Sequence, residues 1–317
     1  MNGRPILLAT RGSALALVQA NFTLDACRQK FPNLEFDLKI IKTTGDKLQT
    51  APARPPSEPL PKGLFTKELE VALLKGEAAV AVHSLKDLPT DLPPGLRLAA
   101  TAGKRADVQD VLVYSAKVKA CSCLAEMPFG LVVGTGSARR AAQLLALRPD
   151  FKTIEIRGNV PTRLKKLAES PNMDATILAA AGLARLGRPV SESGELLSSK
   201  GATGLRAIVL KVGEMLPCVG QGAIGLETRE KDDAIESICN AINDVETFQC
   251  ATAERAFLHA MGGGCQTPVG AYASIAGNQL HLQVVSFLAN EVRRATAHGA
   301  VNAAEAIGEQ GAMQLRT

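Results

Sequence analysis

Ala78-Ala79-Val80-Ala81-Val82-His83-Ser84-Leu85-Lys86-Asp87-Leu88-Pro89 is the stretch whose reading decides the fold. Ala78 to His83 reads as a strand, and the polar turn after it carries Lys86 and Asp87. Upstream, Ile6 to Thr10 reads as a buried strand. Ser13 then caps a helix to about Lys30, with Leu15, Val18, Phe22 and Ala26 on one face. Leu34 to Thr43 alternates as a second strand, Leu34, Phe36, Leu38 and Ile40 sharing a face, and Phe65 to Lys75 is helical. Strand, helix, strand, helix, strand is the rhythm of a mostly parallel sheet. Ligands of such sheets gather at the C-terminal ends of strands, where Asp87 lies. On local grounds alone Asp87 reads as well as a plain turn residue or surface ion pair as it does as a ligand-facing carboxylate. Thr43 to Pro61, rich in Pro, Ala and Ser, is either a lid or plain surface.

Downstream a second series begins near Asp107. Strands are expected at Val111 to Tyr114, Leu131 to Gly134, Thr153 to Ile156 and Ala175 to Ala179. Helices are expected at Ser137 to Leu147 and from Pro161, a proline at the first position, to Glu169. A short helix to Leu186 follows. Val190 to Gly204, rich in Ser and Gly, reads as a surface excursion, and Ala223 to Glu227 as a strand. Ile235, Ile238 and Ile242 mark one helix, and a second runs from about Val245 to a triple glycine. Val269 to Ala297 alternates in short strands around a Gly277-Asn278 turn, the pattern of a small antiparallel sheet.

The composition suits a globular chain of two or three domains: 317 residues, 46% hydrophobic and 21% charged. The N-terminal apolar run, Ile6 to Ala9, is too short for a signal core or a membrane span, and no later run reaches span length. A cytoplasmic protein with no membrane partner is expected. The seven cysteines form no Cys-x-x-Cys pair and the four histidines are scattered, so no metal site is expected. A net charge of +5 invites anions. With aromatic residues at 3% and no tryptophan, nucleic acid is not the expected one.

The arginines are oddly placed. Helix N-termini carry partial positive charge and recruit Asp or Glu. Here Arg139 and Arg140 open one expected helix, Arg163 another with Arg157 just upstream, and Arg11 precedes the Ser13 cap. Such placement is unfavourable unless an anion is bound there. Gly134-Thr135-Gly136-Ser137 provides a close-approach loop, but Arg139 stands where the third glycine of a dinucleotide fingerprint would be. The expected ligand is therefore a small or oligomeric polyanion held between two α/β domains. Near the end, Gly262-Gly263-Gly264-Cys265-Gln266-Thr267-Pro268 offers two readings: a helix stop with a small apolar cysteine, or a thiol presented for a covalent bond.

Eight ordered motifs carry a resemblance across nearly the whole chain. They begin with Thr10-Arg11-Gly12-Ser13-Ala14-Leu15-Ala16-Leu17-Val18-Gln19-Ala20, then Lys62-Gly63-Leu64-Phe65-Thr66-Lys67-Glu68-Leu69-Glu70 and His83-Ser84-Leu85-Lys86-Asp87-Leu88-Pro89. Gly134-Thr135-Gly136-Ser137-Ala138-Arg139-Arg140, Arg157-Gly158-Asn159-Val160-Pro161-Thr162-Arg163-Leu164 and Ala181-Gly182-Leu183-Ala184-Arg185-Leu186 come next. Val219-Gly220-Gln221-Gly222-Ala223-Ile224-Gly225 and Gly263-Gly264-Cys265-Gln266-Thr267-Pro268-Val269-Gly270 complete the set. In these motifs the chain resembles the porphobilinogen deaminases, also called hydroxymethylbilane synthases.

The resemblance implies two periplasmic-binding-protein-like α/β domains and a small α+β C-terminal domain with an antiparallel sheet. Residues 1–104 with 219–240 would form the first, 105–218 the second and 241–317 the third. It implies a monomer that joins four porphobilinogen units head to tail, releasing ammonia, and frees a linear tetrapyrrole with water. It implies a dipyrromethane cofactor bound to Cys265 through a thioether, with Asp87 catalytic. The cofactor is then held by Ser84, Lys86, Thr135, Ser137, Arg139, Arg140 and Gly182. The substrate positions are Arg11, Ser13, Gln19, Lys62, Arg157, Arg163 and Arg185. Each pyrrole ring carries an acetate and a propionate, which gives so many cations a purpose. Ala138 departs from a common leucine, Val190 to Gly204 is longer than usual, and the tail after Gly299 is short. The rival readings are a non-catalytic two-domain anion-binding or sensor protein, and a nucleic-acid binder.

Overall fold

The computed structural model describes residues 5–48, 63–198, 201–264, 266–288 and 291–316. It opens with β1 (Ile6–Arg11), whose run of buried side chains fits a parallel strand covered on both faces. The Ser13 hydroxyl accepts from the Ala16 amide at 3.4 Å and starts α1 (Ala14–Lys30) where the sequence places it. Next come β2 (Phe36–Ile41), α2 (Thr44–Leu48), α3 (Lys67–Leu74), β3 (Val80–Ser84) and β4 (Leu96–Thr101). The second series is β5 (Asp110–Ser115), β6 (Val132–Gly134), α4 (Ala138–Leu147), β7 (Lys152–Ile154) and α5 (Val160–Glu169). It continues with β8 (Ala175–Ala179), α6 (Ala180–Arg185), β9 (Glu195–Ser198) and β10 (Gly201–Leu210). The chain closes with β11 (Ile224–Arg229), α7 (Asp233–Ala241), α8 (Val245–Ala260), β12 (Val269–Ala276), β13 (Gln279–Ser286), β14 (Arg293–Ala300) and α9 (Ala304–Arg316).

Three sheets organise these elements. The first runs β2-β1-β3-β11-β4, with β1, β2 and β3 parallel and β11 antiparallel to both its neighbours. The second runs β7-β6-β8-β5-β10-β9. The third, β12-β13-β14, is wholly antiparallel and packs against α8 and α9. The architecture is thus two α/β units followed by a small α+β unit, each with its own apolar core. The expected Gly277-Asn278 turn is present, and Gly277 has φ +60°, a left-handed conformation that glycine adopts without strain.

Several expectations need correction. The α1 face that is buried is Gln19, Ala20, Thr23, Leu24 and Cys27, whereas Val18 and Phe22 are 40% and 50% exposed. Ile40 does not share the burial of Phe36 and lies open on the edge strand β2. Thr44 to Leu48 is helical rather than loop, and the rest of the supposed lid, 49–61, lies outside the described residues. Val190 to Gly204 is no excursion, because β9 and the start of β10 form a hairpin that widens the second sheet. Strand β4 was not anticipated. The short tail still completes a helix, α9, against α8.

One buried carboxylate joins the three units. Glu254 on α8, fully buried, accepts Arg105 Nη1 at 2.7 Å and the Ala273 amide at 2.9 Å on Oε1. Its Oε2 accepts Arg105 Nη2 at 2.9 Å and the Gly220 amide at 2.8 Å. Arg105 and Gly220 lie on the two chain crossings between the first and second sheets, and Arg105 Nε also donates to the Gln221 carbonyl at 2.8 Å. Burial alone would lower the Arg105 pKa, yet Glu254 holds it above its ordinary value. Removing one partner of such a pair leaves a buried charge uncompensated. Glu254→Gln is expected to destabilise the protein by roughly 3–5 kcal/mol, read as a lower urea midpoint. A midpoint equal to the parent's would show that the pair contributes no net stability.

Candidate active site

Strand β3 ends at Ser84, and Leu85–Asp87 make a single 3₁₀ turn closed by the Leu88 amide on the Leu85 carbonyl at 3.1 Å. Leu85 is buried and anchors the turn. Its amide donates to the Ala223 carbonyl at 3.1 Å. A Cβ at Gly220 (φ +70°) would come within 2.9 Å of Leu85 Cγ, and one at Gly225 within 2.8 Å of Leu85 Cδ1. Gly220, with its left-handed φ, and Gly225 therefore let the backbone close on this turn. Lys86 and Asp87, both half-buried, are left at the C-terminal end of the sheet's middle strand.

Arg140 at the start of α4 and Arg163 at the start of α5 act electrostatically on the same turn. Ser137 caps α4 through the Arg140 amide at 3.4 Å, and Asn159 caps α5 through the Thr162 amide at 3.0 Å. Neither first turn holds an acidic residue. Burial lowers the Lys86 pKa and Arg140 lowers it further, while Asp87, Cys218 and Asp110 raise it. Arg163 is pushed down to about 10 by burial and by Arg140, with Asp87 opposing. Lys86, Asp87, Arg140 and Arg163 thus form one electrostatic cluster drawn from both α/β units.

The expectation that Arg139 and Arg140 require an external anion needs correction, because the chain provides one. Asp110, fully buried at the head of β5, takes Arg139 Nη2 at 2.8 Å on Oδ2 and Arg140 Nη2 at 2.6 Å on Oδ1. Burial would raise the Asp110 pKa, but the two guanidinium groups overcome that and hold it far below the usual carboxylate range. Arg139 Nη1 also donates to the Leu216 carbonyl at 2.6 Å and Arg140 Nη1 to the Ile177 carbonyl at 2.9 Å. Arg139 Nε stays buried without a hydrogen-bond partner among the described residues.

The other expected positions divide. Ser84 donates to Gln19 Oε1 at 2.9 Å, and the buried Gln19 Nε2 has no partner among the described residues. Thr135 is buried and accepts from the Ser137 amide at 3.2 Å. A Cβ at Gly182 would lie 3.8 Å from both Leu15 Cδ2 and Val160 Cγ2, which places α6 against α1 and α5. Arg185 Nη2 donates to the Gly222 carbonyl at 2.7 Å, and burial lowers its pKa. Arg11 pairs with Asp46 at 2.5 Å and lies 4.2 Å over the Phe65 ring. Arg157 pairs with Glu155 at 2.5 Å, and Arg163 Nε donates to the Gly158 carbonyl at 2.8 Å. Ser13 is the α1 cap. Lys62 and Cys265 lie outside the described residues.

Two features escaped the sequence reading. Asp110 left one signal, a charged residue directly before the apolar run Val111-Leu112-Val113-Tyr114. His83, one residue before the turn, is buried and sits 2.8 Å from the buried Glu227 of β11. Among the described residues no group of three or more His, Cys, Asp or Glu is placed to hold a metal ion. No helix among them is long and apolar enough to cross a membrane.

Two α/β units that bring helix N-termini, arginines and one strand-end carboxylate together define the class of protein that grips a small polyanion. The family model "Porphobilinogen deaminase, dipyromethane cofactor binding domain" matches residues 6–237, and "Porphobilinogen deaminase, C-terminal domain" matches 248–317. The porphobilinogen deaminase of Desulforudis audaxviator is 42% identical over 315 residues, which is 98% of this chain and 94% of that protein. That of Syntrophomonas wolfei is 42% identical over 280 residues, 88% of this chain and 84% of the relative. The chain belongs to the porphobilinogen deaminase family, and its first two units are the family's dipyrromethane cofactor-binding domain. Among solved structures, a BvgS VFT2 domain of Bordetella pertussis aligns with a TM-score of 0.41 and 16% identity, over 79% of this chain and 91% of that one.

Proposed function

We propose that the chain is a hydroxymethylbilane synthase, a transferase that joins four porphobilinogen units head to tail and then frees the linear tetrapyrrole with water. The observation that carries this reading is Asp87 on a strand-end turn among Lys86, Arg140 and Arg163. Each condensation forms one carbon–carbon bond and breaks one carbon–nitrogen bond. The aminomethyl nitrogen leaves as ammonia with the bonding pair, and the attacking ring carbon loses a proton. The cations hold the acetate and propionate groups of the rings. Asp87 carries the opposite charge, so it repels those carboxylates and favours the pyrrole ring as positive charge develops on it. It also stands ready to assist proton transfer.

The residues present fit a dipyrromethane group. Arg139 keeps a buried Nε without a hydrogen-bond partner among the described residues, and Lys86, Arg140 and Arg163 lie in one cluster. When bound, that group supplies the ring carbon to which the first substrate is joined. Cys265 is the residue assigned to hold it. Ser84, Thr135, Ser137, Gly182 and Gln19 shape the walls, and Arg11, Ser13, Lys62, Arg157 and Arg185 meet the outer rings. We assign 1–104 with 219–240 to the first domain, 105–218 to the second and 241–317 to the third. A cytoplasmic monomer, with porphobilinogen as its small-molecule substrate, completes the proposal.

The intact mass of the denatured protein tests this reading. An adduct the size of two linked substrate units is expected. An unmodified chain that binds porphobilinogen but releases no ammonia would favour a non-catalytic anion-binding protein instead.

A further inference from the structure

Two of the four histidines, His281 and His298, are distant in sequence but directly opposed in the third sheet, where β13 and β14 pair in antiparallel register. Their ring centroids lie 6.1 Å apart and the ring planes are inclined by 26°. Side chains alternate between the two faces of such strands. Leu280, Leu282, Val284 and Ala297 enter the core shared with α8 and α9, which leaves both histidines on the exposed outer face. The other two histidines are already engaged, His83 by Glu227 at 2.8 Å and His259 by Asp91 at 3.0 Å. The rings of His281 and His298 have no hydrogen bond or ion pair among the described residues, only each other.

An imidazole nitrogen takes a divalent transition ion at about 2.0–2.1 Å. Two rings on one ion then have centroids about 5 Å apart at a tetrahedral angle and about 6 Å apart at a wider one. The observed spacing is at the upper end of that range, so side-chain rotation brings a nitrogen of each ring to one ion without moving either strand. We propose that His281 and His298 form a surface site for a divalent ion of the zinc, nickel or copper type, held by the two cross-strand imidazoles and completed by water. Imidazole nitrogen suits those ions, whereas magnesium and calcium take oxygen ligands. No third His, Cys, Asp or Glu joins the pair among the described residues, so the site is open and the ion exchanges with solvent. The two ligands sit on neighbouring strands, so the ion ties β13 to β14. It therefore favours the folded third unit over an unfolded chain, in which the two rings are far apart. The alternation of the sequence put both residues on strands, but only the register of the hairpin brings them together.

Calorimetry with Ni²⁺ on the untagged full chain tests this, with His281→Gln and His298→Gln as variants that keep a polar side chain on the exposed face. The parent is expected to bind one Ni²⁺ whose affinity falls by about tenfold or more in each variant, the loss expected when one arm of a two-point attachment is removed. Nickel held by thiols would remain in both variants, so the difference between the chains reports the pair alone. Saturating Ni²⁺ is expected to raise the thermal midpoint of the parent and of neither variant. Equal Ni²⁺ affinity in the parent and in either variant overturns the proposal, and so does displacement of the ion by excess Mg²⁺. If a variant fails to fold, the imidazole NMR signals of the parent decide. Paramagnetic broadening by Ni²⁺ that reaches the His281 and His298 rings first supports the site, and broadening that begins at His259 or His83 overturns it.

Discussion

Asp87→Asn lowers turnover by roughly two to three orders of magnitude or more, the loss expected when one preorganised electrostatic partner is removed. The amide keeps the shape and hydrogen-bonding capacity of the carboxylate and removes its charge. The turn that carries it is held by Leu85, through burial and the Ala223 carbonyl, so the backbone position does not depend on the Asp87 side chain. The variant is therefore expected to fold and to melt with the parent. Lys86, Arg140 and Arg163 stay in place to hold carboxylates, so the effect is expected in kcat more than in KM. Asp87→Glu is expected to keep part of the activity. Turnover of Asp87→Asn within about tenfold of the parent would mean a loss of about 1.4 kcal/mol or less, too small for the role assigned.

Cys265→Ala is expected to abolish both the adduct and turnover. The thiol follows three glycines, which leave a loop without side chains for a bulky group to approach. The alternatives differ in chemistry. Burial pushes the thiol of Cys27 up to about 11, and those of Cys239 and Cys250 up to about 12, which leaves little thiolate for bond formation. Cys218 is half-buried and adjoins the cluster around Lys86, which makes it the serious competitor. Peptide mapping of the native protein separates the two. An adduct on Cys218 or Cys250 would sink the assignment to Cys265.

The strand and helix alternation was legible because each element has a local signal. Ser13 and Ser137 stand at N-caps, Pro161 lies in the first turn of α5, and β3 and β5 contain the apolar runs Val80-Ala81-Val82 and Val111-Leu112-Val113-Tyr114. What escaped depends on partners distant in sequence. Strand β4 is flanked by β11 alone, so nothing near Leu96 announces it. Gly201 to Gly204 reads as loop from composition, yet it opens a strand paired with β9 and β5. On α1 the apolar spacing marked a face but not what that face meets. Gln19 and Thr23 turn inward, where Gln19 Oε1 accepts from Ser84 and the Thr23 hydroxyl donates to the Gln19 carbonyl. The arginines at the α4 start were expected to need a bound anion. The sequence could not say that Asp110, 29 positions upstream of Arg139, already meets that need.

The position of β11 between β3 and β4 also governs the order in which the protein can be made. A ribosome synthesises β1, β2, β3 and β4 first, but the first sheet stays split until Ile224–Arg229 emerges. By then every strand of the second sheet has been synthesised, so that unit can fold as an insertion inside an unfinished host. The Asp87 turn waits too, since the Ala223 carbonyl and the glycines that press on Leu85 arrive more than a hundred residues after it. Pairings of such long range make folding slow. A nascent chain released before residue 224 would hold Arg139, Arg140 and Asp110, beside a half-sheet that lacks β11. Premature termination there is expected to yield a sticky, anion-binding fragment rather than a weak enzyme.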